Sequence, residues 1–208
     1  CIEVEYSQYI GQTASNLGHA LRQVLEKRNF NATDIISYHH PASPSTLVTW
    51  VESHDTYCNQ HESADLTDDQ IRLGWVYLTS RAGGTPLFFS RPAGSTRDNY
   101  WGDNRVGPRG NDEFFHPEVI AANTFRHKMA GQPEAISTNG KGTVIQISRG
   151  TRGTALINLS TKATEIKMAT TIPDGNYIDP VHNTHFTVAD GTITAKLAPQ
   201  TTYTLYSK

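Results

Sequence analysis

The period of the apolar residues in this 208-residue chain changes once, close to Gly131, and that change limits the fold more than any other feature. Before it, apolar runs with a helical period alternate with short β-branched or aromatic runs. After it come "TVIQISR", "TALINLS", "TEIKMATT", "HFTVAD", "TITAKL" and "TYTLYS", short and mostly alternating, punctuated by "NGKG", "RGTRG", "PDG" and "ADG". Strand–helix alternation predicts a parallel α/β sheet, and evenly spaced short strands with Gly-rich turns predict an antiparallel sandwich. The expected architecture is therefore α/β over residues 1–131 and all-β over 132–208, divided near Gln132-Pro133.

In the first part, Leu17, Leu21, Val24 and Leu25 fall on one helical face over 13–29, with Arg22, Glu26 and Lys27 opposite. Thr13 or Ser15 can open that helix, and Asn29 lies just past its end. A second helix is predicted over 67–81: Thr67 and Gln70 form a capping-box pattern, Asp68 and Asp69 suit the helix N-terminus, and Gly83-Gly84 stops it. A third begins at Pro117, with Ile120, Ala121, Thr124, Phe125 and Met129 as its inner face, and ends at Gly131. Strands are predicted at "DIISY" (34–38), "LVTWVES" (47–53) and "TPLFFS" (85–90), the last apolar enough for a sheet covered on both faces. Three strands cannot close a barrel, and a complete eightfold α/β barrel needs roughly 250 residues. Only about eight residues separate the first two strands, short for a parallel crossover. A long loop, 92–113, follows the third strand. The opening "CIEVEYSQY" reads as a strand remnant or a loop from the interior of a longer polypeptide, and residues 1–12, with Glu3 and Glu5, lack the apolar stretch of a signal peptide.

Charge and composition exclude some functions. A formal net charge of -2, with no runs of Lys and Arg, disfavours a nucleic-acid or anionic-membrane partner. No apolar run approaches a membrane span. Two cysteines, Cys1 and Cys58, make neither a disulfide framework nor a metal cluster. Gly-x-Ser-x-Gly and phosphate-loop motifs are both absent.

The chemistry-bearing residues gather where "TLVTWV" turns polar as Glu52-Ser53-His54-Asp55. In an α/β barrel the C-terminal ends of strands carry catalytic groups, so His54 and Asp55 stand where chemistry is done. The competing reading is a strand ending in solvent, with Asp55 turning the chain. His39-His40 reads as a surface pair before Pro41, because adjacent strand residues point to opposite faces and rarely share a metal. Asp112, Glu113 and Glu118 flank a helix start and read as macrodipole compensation. Tyr57, Tyr100 and Trp101 lie in loops at the strand ends, where they either stack on sugar rings or pack within the loop.

"LVTWVESHDTYCN" resembles the fourth conserved region of the α-amylase family, glycoside hydrolase family thirteen, and the resemblance extends through "TASNLGHALRQVLEKRN", "DDQIRLGWVYLTSRAGGTPLFFSRP" and "VIAANTFRHKMAGQPE". In order and spacing these are similar to secreted Bacillus subtilis-type α-amylases, over nearly the whole chain. The resemblance implies the last three strand–helix units of a (β/α)8 barrel followed by a β-sandwich domain. It implies that Asp55 is the carboxylate that stabilises the transition state, and that His54, Asn59 and, less directly, Tyr57 contact substrate. The nucleophile and general-acid motifs of the family are absent, and Glu3 and Glu5 do not match the acid's surroundings. It further implies starch and maltooligosaccharides as substrates, an N-terminal segment of the same enzyme as partner, an extracellular location, and calcium bound mostly outside this chain. Two other readings stay open: a non-catalytic starch-binding or structural fragment, and a glycosyl-transferring relative using the same carboxylate.

Overall fold

The computed structural model describes residues 2–26, 31–103, 105 and 107–207. Cys1, and Lys27 and Asn29 at the expected end of the first long helix, lie outside the described residues. The chain opens on a short helix, α1 (Ile2–Tyr6), where a strand remnant or loop was expected. Strand β1 (Gln12–Thr13) leads into α2 (Ser15–Glu26), and a single turn, α3 (Thr33–Ile36), precedes β2 (Leu47–Thr49). Helix α4 (Asp68–Ser80) is followed by β3 (Thr85–Pro86), a long loop and α5 (Pro117–Lys128). Strands β1, β2 and β3 form a parallel sheet in that order, with Thr13 opposite Val48 and Val48 opposite Thr85.

"DIISY" is therefore a helical turn, not a strand. Asn31 Oδ1 accepts the Thr33 N–H at 3.0 Å, Ala32 and Ile35 are fully buried, and Ile36 N–H returns to the Ala32 carbonyl. An Asx-type turn at Asn31, with the burial of Ala32 and Ile35, outweighed a weak β propensity. The correction removes the crossover difficulty, because the first strand is Gln12–Thr13 and α2 supplies the connection. "TPLFFS" pairs only over Thr85 and Pro86, and Leu87 is 54% exposed. It does not have both faces covered: Thr85 and Leu87 are exposed, and Pro86, Phe88 and Phe89 are only half-buried.

The capping box forms as expected: Thr67 N–H donates to Gln70 Oε1 at 2.8 Å and Gln70 N–H to Thr67 Oγ1 at 3.3 Å. Gly74 in α4 sits where a Cβ would meet Leu25 and Val51 at 2.9 Å, so its missing side chain lets α4 pack against α2 and the end of β2. The buried face of α5 runs through Val119, Ala122, Phe125 and Met129, while Ile120 is 49% exposed. The expected stripe was off by one residue at its start.

The rest of the described chain is two antiparallel sheets. Strands β4 (Glu134–Thr138), β5 (Val144–Arg149), β6 (Gly153–Asn158), β7 (Thr164–Ala169), β8 (Gly175–Ile178), β9 (His185–Ala189), β10 (Thr192–Leu197) and β11 (Thr201–Tyr206) form one sheet in the order β11-β6-β5-β4 and another in the order β7-β10-β9-β8. Val144, Leu156, Tyr203 and Leu205 of the first sheet meet Ile166, Phe186, Val188 and Ile193 of the second. Its other face, through Ile145, Ile147, Ala155 and Ile157, joins the core of α4 and α5. β5 and β6 are thus buried on both faces, and one apolar core runs across Gln132-Pro133. Arg149, 3% exposed, donates to the carbonyls of Ser80 and Met129 near the ends of α4 and α5. Those carbonyls lie where a helix leaves acceptors without intrahelical partners.

Candidate active site

Alternation sets up the site. On β2 and just beyond it, Leu47, Thr49 and Val51 are buried on the helix side, while Val48 and Trp50 face the other way and are half-buried. With Thr13, Ser53, His54, Asp55, Leu87, Phe88 and Phe89, that second set lines a cavity of about 480 Å³ at the C-terminal ends of the three strands. Asp55 also borders an adjoining cleft of about 340 Å³ with Asn16, His19, Gln60 and Glu62. One carboxylate therefore stands on the ridge between two clefts.

The turn that carries Asp55 is a single π-helical turn, Asp55–Asn59, closed by Gln60 N–H donating to the Asp55 carbonyl at 2.7 Å. Such widened turns are frequent at functional sites. Thr56 locks its start: Oγ1 accepts the Ser53 N–H at 2.8 Å. The Asp55 side chain is 55% exposed. Asn59 Nδ2 donates to Asp55 Oδ1 at 2.7 Å, and His54 Nε2 lies 3.5 Å from the same oxygen. Oδ2 has no partner among the described residues. The arrangement fixes one oxygen of a carboxylate that is more than half exposed and lines both clefts, which suits it to accept hydrogen bonds from, or place negative charge beside, a bound molecule.

His54, 67% exposed, stands at the cavity with Asp55. Asn59 is brought to Asp55, with its amide nitrogen already committed to the carboxylate. Tyr57 is not at the cavity: it is 3% exposed, its hydroxyl donates to Ser95 Oγ at 3.1 Å, and its ring packs edge-on against Tyr100. It fastens the 92–113 loop to the Asp55 turn, together with Cys58, whose thiol donates to the Tyr100 carbonyl, and His61, which stacks on Tyr100 at 3.9 Å. Trp101 is 45% exposed in that loop.

Sequence reasoning missed the groups that hold this strand end. Arg22, assigned to the outer face of its helix, is 4% exposed; it donates to the Val51 carbonyl at 2.9 Å and to Glu62 at 2.6 Å. Its guanidinium takes a backbone acceptor just beyond the end of the ladder, and Glu62 lies held below the ordinary carboxylate range chiefly by that contact. Glu52 is buried and paired through both oxygens with Arg91, at 2.9 and 3.0 Å. Neither pair had a local signal, because the partners are 40 and 39 residues apart. Glu118 is also more than macrodipole compensation: 7% exposed at the side chain, it accepts from His182 Nε2 at 3.0 Å and from the Thr202 N–H at 2.9 Å.

His39 and His40 line a separate cavity of about 250 Å³ at the opposite end of the strands, with Arg81 and Glu134. His40 Nδ1 accepts the Ala42 N–H at 3.1 Å, a turn contact. No group of three or more His, Cys, Asp and Glu side chains able to hold a metal occurs among the described residues.

No family model matches the chain. An alpha-amylase of Butyrivibrio fibrisolvens is 37% identical over 92% of this chain, which spans 22% of that protein. The crystal structure of alpha-amylase I from Eisenia fetida superposes with a TM-score of 0.75 at 18% identity, covering 98% of this chain and 50% of that one. A variant of the same Eisenia enzyme in a complex with maltohexaose superposes at 0.73, with 15% identity and the same shares covered. The chain thus spans about a fifth of its curated relative and half of each solved structure. Its fold is the C-terminal portion of a (β/α)8 barrel followed by an antiparallel β-sandwich, as in alpha-amylases, and its sequence is similar to an alpha-amylase over nine-tenths of its length.

Proposed function

We propose that this chain is the C-terminal part of an endo-acting α-amylase that hydrolyses internal α-1,4 bonds of starch with retention, and that Asp55 stabilises the transition state. Residues 1–131 are the end of the catalytic barrel and 132–208 the sandwich domain. The observation that carries the reading is the placement of Asp55: exposed, just past the C-terminal end of a parallel strand, on the lining of the cavity, with one oxygen held by Asn59.

A retaining glycosidase passes twice through an oxocarbenium-like transition state, with one carboxylate as nucleophile and another as acid, then base. In this reading both belong to an N-terminal segment of the same protein, which also covers the open face of the parallel sheet. Asp55 accepts hydrogen bonds from ring hydroxyls, and these strengthen as positive charge develops on the sugar. His54 donates to the same sugar. Asn59 orients Asp55, so no energy is spent aligning the carboxylate during reaction. Its negative charge also favours the protonated form of a neighbouring acid. The protein is secreted in this reading. Calcium, if bound, takes ligands from outside the described residues, and no step above depends on it.

The test is the complete protein on soluble starch. A fast fall in viscosity at low release of reducing ends marks endo action, and proton NMR showing the α-anomer as first product marks retention. Exo release, or the β-anomer first, contradicts the proposal. A complete protein that binds starch without turnover is instead the binding module, and one that elongates maltooligosaccharides faster than it hydrolyses them is the transferring relative.

A further inference from the structure

The segment from Ser53 to Leu66 carries Asp55, and it leaves and rejoins the fold beside a single side chain, Arg91. This residue lies beyond β3, in the irregular segment that leads into the long loop. Its Nε and Nη2 donate to the two oxygens of Glu52, the residue before the segment, at 2.9 and 3.0 Å. Nη2 also donates to the carbonyls of Ser63 and Leu66, both at 3.0 Å, where the segment returns. Between those ends the guanidinium lies 4.4 Å from the centre of the Tyr57 ring, inside the π-turn itself. Tyr57 in turn reaches Ser95, on the loop that continues from Arg91. Start, middle and end of the Asp55 segment thus meet on one planar group.

This clamp is an expensive way to obtain stability. The side chains of Glu52 and Arg91 are 2% and 12% exposed, and desolvation of a buried pair commonly offsets its Coulombic gain. Burial pushes Glu52 up from the ordinary carboxylate range against the opposing pull of Arg91. An apolar pair would fill the space at lower cost but could not take two backbone carbonyls and a carboxylate in fixed directions. The planar fork of arginine does so, and lysine cannot.

We propose that Arg91 is a positioning residue for the reaction: by clamping Glu52, Ser63, Leu66 and Tyr57 it fixes the turn that aims Asp55. The inference rests on the reading of Asp55 as the transition-state stabiliser. Arg91 touches no substrate in this account, so its loss acts through Asp55 and appears in kcat rather than KM.

The experiment is a double-mutant cycle in the complete enzyme, using Arg91→Lys and Asp55→Asn on an aryl maltooligosaccharide whose good leaving group keeps the weakest variant measurable. Arg91→Lys is expected to lower kcat at least tenfold with KM changed less than about twofold. In the Asp55→Asn background the same substitution is expected to change kcat less than about twofold, because nothing remains to be aimed. An equal fold-loss in both backgrounds, a loss confined to KM, or no loss overturns the proposal. If Arg91→Lys does not fold, as judged by circular dichroism, Glu52→Gln, which keeps shape and one acceptor, takes its place in the cycle with the same criteria. An Asp55→Asn enzyme with near-wild-type kcat refutes the reading of Asp55 itself; a large Asp55→Asn loss with additive Arg91→Lys refutes only the clamp.

Discussion

Glu118→Gln tests how the helical layer is joined to the sandwich. The Glu118 carboxylate, at the start of α5, accepts from His182 in the β8–β9 connection and from the Thr202 N–H of β11, with Arg72 Nε of α4 at 3.4 Å. Charge-assisted bonds are worth about 1.5–3 kcal/mol and neutral ones about 0.5–1.5. Glutamine keeps a neutral acceptor for Thr202 and loses the charged contact to His182, while the cost of burying a carboxylate disappears. The net loss is about 2–3 kcal/mol, or roughly 4–12 °C in Tm for a unit of this size. Burial alone would raise the Glu118 pKa, but His182 and the Thr202 N–H hold it below the ordinary range, so its stabilisation is lost as pH falls through that lowered value. Its hydrogen bond with Glu118 chiefly raises the pKa of His182, so that contribution is complete below the ordinary imidazole value and is lost as pH rises through the raised one. The gap between wild type and Glu118→Gln is therefore widest between about pH 4.3 and 6.5, and narrows on both sides. Scanning calorimetry across pH measures it. A gap below about 1 °C at pH near 5.5, or one that grows toward alkaline pH, refutes the joint as described.

Three further outcomes follow from the packing and the site. Gly74→Ala forces a Cβ to within 2.9 Å of Leu25 and Val51 and should cost about 1–3 kcal/mol in denaturant unfolding; an unchanged midpoint contradicts the close approach of α4 to β2. Phe186→Ala opens the space between the two sheets, where Phe186 is 1% exposed, and should cost about 3–5 kcal/mol in the same assay. Asn59→Ala removes the donor on Asp55 Oδ1 and should lower kcat on starch about tenfold or more, through the loss of one charge-assisted bond; an unchanged kcat removes Asn59 from the site.

Much of this architecture is legible because local signals and tertiary demands agree. The Thr67–Gln70 box, Pro117 at a helix start and the turn-punctuated strands after Gly131 all form where the residues indicate. Failures occur where a local turn or a remote partner decides. The Asn31 turn and the buried Ala32 and Ile35 set a helical turn over Thr33–Ile36, across the start of "DIISY", and "TPLFFS" is apolar beyond its two paired residues because it faces a cavity. Arg22 reads as an outer-face charge, and nothing local singles out Arg91 or Arg149, yet each is buried or nearly so against backbone carbonyls far away in sequence. In the site, His54 and Asp55 were readable as a polar end on an apolar strand. Tyr57 takes the loop-packing alternative of the two that the sequence left open, because sequence does not say which face of a π-turn an aromatic takes, and Glu52 was missed because its partner arrives from the segment after β3.

The most direct measurement of the central claim is kcat and KM on soluble starch for the complete enzyme carrying Asp55→Asn, with folding checked by circular dichroism. The amide keeps the shape and the neighbours of the carboxylate and removes its charge. If Asp55 stabilises the transition state, kcat falls about a hundredfold or more while KM stays within severalfold, as for removal of a preorganised electrostatic group. A fall of less than about tenfold, equivalent to ~1.4 kcal/mol, contradicts the role assigned to Asp55.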